Sequence, residues 1–325
     1  MNREDVESDA EAAFARTDLA EATRLYEELV RRFPDSAAYH ARLGQIAKRR
    51  VEYDLAIRHL RSATELSPGN TLYWYELGLM LFKRGMVDEW ILCQGCLPTP
   101  EEIEAKQTPM LDQAYACFER AVALEPRLVD AYLQMARTLA EKKRLAEALP
   151  LFEFVLTLDP SNSVAHGAIG TILLMTAGAS EEVISHFVEA VRLDPYAARS
   201  HHNLGLTLMR LGKYAEAEQS FWRAALLDPR NASYQCNLGL SRTRLGRWDE
   251  ALQAFGDGLG YAGASLLLRN SARVAQAVDR AEVAHLMVQA ASTTDCVPRS
   301  PDPSRSVPVA REAALRTAPA CPLPR

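Results

Sequence analysis

Residues 198–231 read ARSHHNLGLTLMRLGKYAEAEQSFWRAALLDPRN, and the whole architecture follows from this stretch. Leu204 and Leu208, then Ala217, Phe221 and Ala224, recur at spacings of three and four on either side of Gly212, and Pro229 closes the unit. That spacing predicts two amphipathic helices joined by a tight turn. Six prolines, Pro34, Pro68, Pro126, Pro160, Pro195 and Pro229, end segments of the same kind and lie 34, 58, 34, 35 and 34 residues apart. A 34-residue period means stacked helical hairpins, each burying its apolar face only against its neighbours.

The unit's signature is His201, Leu204-Gly205, Leu208, Gly212, Tyr214, Ala217, Phe221, Ala224 and Pro229. Leu238-Gly239, Gly246, Trp248, Ala251 and Phe255 repeat it, as do Trp74, Leu77-Gly78, Gly85, Ala114, Phe118, Ala121 and Pro126. Leu43-Gly44, Ala56, Leu60, Ala63 and Pro68 form another copy, and Tyr132, Leu139, Ala148, Phe152 and Pro160 a looser one. Ile169-Gly170, Leu173, Phe187, Ala190 and Pro195 form a further loose copy, and a fragment with Ala22, Tyr26 and Pro34 opens the series. The pattern resembles the tetratricopeptide repeat family over about residues 8–263. The resemblance implies an all-α, right-handed superhelical solenoid of antiparallel helix pairs. Small residues at the eighth and twentieth positions let the paired axes close to about 8–10 Å, and large residues fill what remains.

This reading divides the chain into an N-terminal partial repeat (1–35), the repeat array (36–263), a capping helix region (264–292) and a disordered Pro-rich tail (293–325). The 58-residue interval exceeds the period by 24 and places an insertion at 88–111. Within it Trp90-Ile91-Leu92 is apolar and supplies candidate contacts. Thr99-Pro100-Glu101-Glu102 reads as the start of a short helix, and Thr108-Pro109 as the start of the unit's displaced second helix. The insertion reads either as a decoration on the rim or as a lid or docking element. After Gly263 the pattern lapses into an Ala/Val-rich stretch that suits a terminal cap and also permits a homo-oligomer contact. Seven of the 17 prolines fall in the last 33 residues, a composition that buries too little apolar surface to fold.

Composition bounds the partners. The net charge is -5 and the pI about 5.9, which removes the basic balance of a nucleic-acid binder. No stretch approaches 18 uninterrupted apolar residues, so no membrane insertion is expected. The opening Met1-Asn2-Arg3-Glu4-Asp5-Val6-Glu7 carries acids where a signal peptide needs a basic and then an apolar run, which predicts a cytoplasmic protein. The six cysteines are scattered and read as reduced thiols.

Gly258-Leu259-Gly260-Tyr261-Ala262-Gly263 matches a dinucleotide string but follows a helix rather than a strand. Cys93-Gln94-Gly95-Cys96 is a lone pair, short of the four ligands of structural zinc. His40, His166 and His201 fall at the repeat's fourth position, where Trp74 and Tyr132 stand in other copies, and read as rings filling an aromatic slot. No catalytic constellation, metal or cofactor is expected.

The family resemblance assigns repeat positions 2, 5, 6, 9, 12 and 13 to the concave face. The groove candidates are therefore Gln134, Arg137, Arg199, Asn203, Arg210, Asn237 and Arg244. Asn203 and Asn237 resemble the asparagine ladder with which some superhelical members, O-GlcNAc transferases among them, hold an extended peptide. A carboxamide donates and accepts at once, which suits a peptide bond, and the arginines supply forks for carboxylates. The Lys and Asn of a chaperone-tail clamp are missing from positions 5 and 9 of every copy. The expected function is a non-catalytic scaffold that binds a peptide segment or helix of a protein partner. Two alternatives remain open: a regulatory or substrate-recruiting arm of an enzyme complex such as a glycosyltransferase or sulfotransferase, and a structural assembly factor acting by self-association.

Overall fold

The computed structural model describes residues 2–86 and 100–258, with 100–106 as backbone alone. These residues form fourteen helices and no strand. They run as antiparallel pairs: α1 (Arg3–Ala15) with α2 (Leu19–Arg32), α3 (Ala37–Arg49) with α4 (Tyr53–Leu66), α5 (Thr71–Met86) with α6 (Pro100–Leu124), and α7 (Val129–Glu141) with α8 (Leu145–Leu158). There follow α9 (Ser163–Thr176) with α10 (Glu181–Leu193), α11 (Ala198–Arg210) with α12 (Tyr214–Leu227), and α13 (Ala232–Arg244) with α14 (Trp248–Gly258). The pairs gather into two compact units, Met1–Pro160 and the part from Ser161 onward.

The pairing rests on size complementarity. An added Cβ on Gly205 of α11 would lie 2.8 Å from the Phe221 ring of α12, so only glycine lets that ring lie flat against the first helix. Gly78 faces Phe118, Gly170 faces Phe187 and Gly239 faces Phe255 in the same way, and all four rings are fully buried. Each ring removes apolar surface from water worth about 1.5–3 kcal/mol.

The fourth-position ring does more than fill its slot. Trp74 Nε1 donates to Pro68 O at 2.9 Å, and the Nε2 atoms of His40 and His201 lie 3.2 and 3.1 Å from Pro34 O and Pro195 O. Each bond satisfies the carbonyl of the proline that ends the preceding unit, which helps lock successive hairpins together. Burial, opposed by the bond to Pro195, pushes the His201 pKa below the ordinary histidine range.

Three expectations change. Residues 3–32 form a complete helix pair, not a fragment: α1 lacks the Leu-Gly signature, and Ala10, fully buried, takes the glycine's place. The second helix of the third pair does not start afresh at Thr108-Pro109. Instead α6 runs unbroken from Pro100 to Leu124 with Pro109 inside it. An internal proline costs about 3 kcal/mol, here offset by the buried stripe Leu111, Ala114, Phe118 and Ala121 packed on α5. Lastly, the repeat array taken as one segment, 36–263, divides between Pro160 and Ser161 into the two compact units with no lapse in the repeat pattern. Trp90, Ile91, Leu92, Cys93, Cys96, the glycine string beyond Gly258, the capping region and the tail lie outside the described residues.

Candidate functional site

In the second unit the first helices of successive pairs touch one another, α9 with α11 and α11 with α13. Together these three carry Arg199, Arg210, Arg242 and Arg244 and no acid. The acids sit on the second helices: Glu181, Glu182 and Glu189 on α10, Glu216 and Glu218 on α12, Asp249, Glu250 and Asp257 on α14. The layer of first helices is thus cationic in a chain whose net charge is -5.

Five sequence-derived candidates lie on this layer. Arg199, Arg210 and Arg244 are exposed, and none is ion-paired among the described residues. Arg210 Nη1 reaches the carbonyl of Leu174 at 3.5 Å, at the limit of a hydrogen bond. Arg242, by contrast, is committed to Glu218 at 2.9 Å.

Asn203 and Asn237 are half-buried and already engaged across repeats. Asn203 Nδ2 donates to Thr171 Oγ1 at 3.1 Å, and Thr171 Oγ1 donates to Gly167 O at 2.7 Å. Because the threonine spends its one proton on Gly167, it can only accept from Asn203. Asn237 Nδ2 lies 2.7 Å from His202 Nε2. The His202 ring packs between Phe221 and Tyr234, with centroids 5.7 and 4.8 Å away. Burial lowers its pKa from the ordinary histidine range, a hydrogen bond with Asn203 opposes that shift, and the Arg199 charge adds to it.

Thr171 and His202 were not among the sequence candidates. They stand at repeat positions 9 and 5, which the family resemblance turns to the same face, and that was the available signal.

The remaining two candidates belong to the other unit. On α7, Arg137 Nη1 donates to Gln134 Oε1 at 3.4 Å, and its guanidinium lies 5.5 Å from the centre of the Phe82 ring. Gln134 hydrogen-bonds Tyr75, whose pKa burial raises against that bond. The structure brings Arg199, Asn203, Arg210, Asn237 and Arg244 onto one layer, with Gln134 and Arg137 forming a separate cluster in the first unit.

Elsewhere, burial pushes the Cys117 thiol up to about 11, against the Arg61 charge, so it stays protonated and a poor nucleophile at neutral pH. No helix among the described residues is long and apolar enough to cross a membrane.

The family model described as tetratricopeptide repeat matches residues 9–71, 111–163 and 202–265, more than half of the chain. A TPR repeat-containing thioredoxin, TTL4, of Arabidopsis thaliana is 38% identical over 72 residues, covering 22% of this chain and 10% of that protein. The probable UDP-N-acetylglucosamine–peptide N-acetylglucosaminyltransferase SPINDLY of Hordeum vulgare is 25% identical over 118 residues, covering 34% of this chain and 12% of that protein. The chain therefore spans about an eighth or less of these two relatives. Among solved structures, Pseudomonas aeruginosa pilF aligns with a TM-score of 0.54 at 19% identity, over 70% of this chain and 93% of that one, a likeness of fold.

Proposed function

Since the chain belongs to the tetratricopeptide repeat family, we propose that it is a non-catalytic scaffold whose second unit binds a peptide segment or helix of a partner protein across α9, α11 and α13. The observation that carries this reading is the acid-free layer itself, with Arg199, Arg210 and Arg244 exposed and unpaired beside Asn203 and Asn237. Unpaired guanidinium groups offer forked donors to carboxylates, so an extended segment bearing Asp or Glu suits the face. The carboxamides hold backbone groups: Asn237 through Oδ1, its Nδ2 being engaged by His202, and Asn203 through the remaining capacity of an amide whose Nδ2 is tied to Thr171 and which also hydrogen-bonds His202. Gln134 and Arg137 provide further contacts in the first unit.

The test is capture of the native partner by the full chain carrying Asn203→Ala and Asn237→Ala. We expect weaker capture with unchanged helicity by circular dichroism; undiminished capture removes the face from consideration. A second reading, as the recruiting arm of a glycosyltransferase complex, draws support from the stretch shared with the Hordeum vulgare transferase. It requires that a transferase activity co-purify with the full chain, and its absence from the purified complex counts against it.

A further inference from the structure

The bond between Asn237 and His202 makes one contact of the proposed face depend on a proton. Asn237 Nδ2 can donate to His202 Nε2, 2.7 Å away, only while that nitrogen carries a lone pair. A neutral ring that accepts at Nε2 holds its proton on Nδ1. The Asn237 carboxamide is then oriented: Nδ2 turns to the ring, and Oδ1 is left without a protein partner among the described residues. Once the ring is protonated, Nε2 becomes a donor and faces another donor at 2.7 Å. The carboxamide relieves that clash by rotating half a turn, which gives Oδ1 to the ring and leaves only N–H groups for anything outside.

The neighbouring Asn203 also hydrogen-bonds the ring, in a way that favours its charged form, so protonation strengthens that contact rather than opposing it. Its Nδ2 is tied to Thr171 Oγ1, itself held by Gly167 O, so the Asn203 amide has no cause to reverse when the ring takes up a proton. The two rungs of the ladder are therefore not equivalent. The ring is also well placed to act as a fixed reference: Phe221 of α12 and Tyr234 of α13 enclose it, and it bridges from α11 to the Asn237 of the next repeat.

We propose that His202 is a positioning residue which, as the neutral Nδ1–H tautomer, sets Asn237 to present a hydrogen-bond acceptor and, when protonated, reverses it to present donors. The specificity of the face thus switches at one rung, from a partner offering a backbone N–H to one offering a carbonyl. The ionisable groups facing the ring are Arg199 from its own helix and Tyr234 from α13, the latter with a phenol pKa raised by burial and by Asp228. Phe221 from α12 is apolar, and the contribution of α9, Thr171 acting through Asn203, is neutral. Burial and the Arg199 charge favour the neutral ring, so the acceptor state is the one held at neutral pH. This inference rests on the peptide-binding reading for its biological meaning, but its test needs no partner.

The experiment is a pH titration of the free full chain by NMR, with 15N-labelled histidine and asparagine and no ligand added. At pH 7.5 the His202 nitrogen shifts should report the Nδ1–H tautomer. The Asn237 side-chain amide signals should move with the same midpoint as the ring, below about pH 6.5, while those of Asn203 move less. In the variant His202→Gln, whose side-chain carbonyl can still accept from Asn237 but does not titrate, the pH-dependent shift of Asn237 should vanish. An Nε2–H tautomer at pH 7.5, an Asn237 transition uncoupled from the ring, or one that survives in His202→Gln would each overturn the proposal. The tautomer measurement needs no substitution, so it decides even if the variant folds poorly. Failure of partner capture, with this coupling intact, would instead strike the binding reading alone.

Discussion

Gly205→Ala, which destabilises the native protein, should become stabilising once Phe221 is replaced by Ala, partly offsetting the loss that Phe221→Ala causes. Phe221 is fully buried, and a methyl group on Gly205 would sit 2.8 Å from its ring, below any normal carbon contact. Phe221→Ala leaves a cavity that the rigid helix pair cannot close, a loss of about 3–5 kcal/mol. Gly205→Ala alone overpacks the pair by about 1–3 kcal/mol, of which better helix propensity returns about 1 kcal/mol. In the Phe221→Ala background the clash is gone. The same methyl then enters the vacated space and adds about 0.8 kcal/mol of burial to the propensity gain. The sign of the Gly205→Ala effect therefore reverses, with a coupling of about 2–4 kcal/mol. The suitable assay is hydrogen exchange of the α11 and α12 amides in the full chain, read by mass spectrometry, because repeats open locally rather than as one cooperative body. A loss of about 4 kcal/mol appears there as roughly a thousandfold faster exchange. If the two effects add within about 0.5 kcal/mol, the steric account of the glycine is wrong.

Other outcomes follow from single features. Val51 is a β-branched residue at φ 62°, in the turn between α3 and α4, where the corresponding turns of the second unit use Gly178, Gly212 and Gly246. Since its side chain is 62% exposed, Val51→Gly should stabilise the first unit by about 1 kcal/mol, seen as a higher urea midpoint; a lower midpoint refutes the strain argument. Burial lowers the folded-state pKa of His59, His201 and His202. Their contribution to stability is thus complete above about pH 6.5 and is lost as pH falls through the lower folded values, because the unfolded chain takes up the protons first. Urea midpoints at pH 7.5 and 5.5 should show that loss. His201→Trp, copying the N–H bond of Trp74 to Pro68, should reduce it. Finally, Glu218 accepts from both Arg242 and Arg247 and is largely enclosed, whereas the pair Glu189 and Arg192 is mostly exposed on one helix. Glu218→Gln should cost about 1–3 kcal/mol and Glu189→Gln under about 0.5 kcal/mol, compared by thermal denaturation; equal losses would contradict the burial argument.

The helix pairs were legible in the sequence because what builds them is local and repeated. Gly205 with Phe221, or Gly239 with Phe255, sits at fixed positions in a 34-residue period, and bulk against absence of bulk is a property of the residue type. Residue type also supplied the candidates Asn203, Asn237, Arg199, Arg210 and Arg244. Tertiary structure decided which atoms of those residues remain available. Thr171 and His202 lie 32 and 35 residues before their asparagine partners, and whether an amide is engaged at 3.1 or 2.7 Å depends on how one hairpin seats on the next. Periodicity places a side chain on a face; it does not say which atom meets a neighbour, since hydrogen bonds are won or lost over a few tenths of an ångström. The same limit hid the unbroken helix through Pro109, where packing against α5 outweighs a local stop signal, and the division after Pro160, which no change in pattern marks.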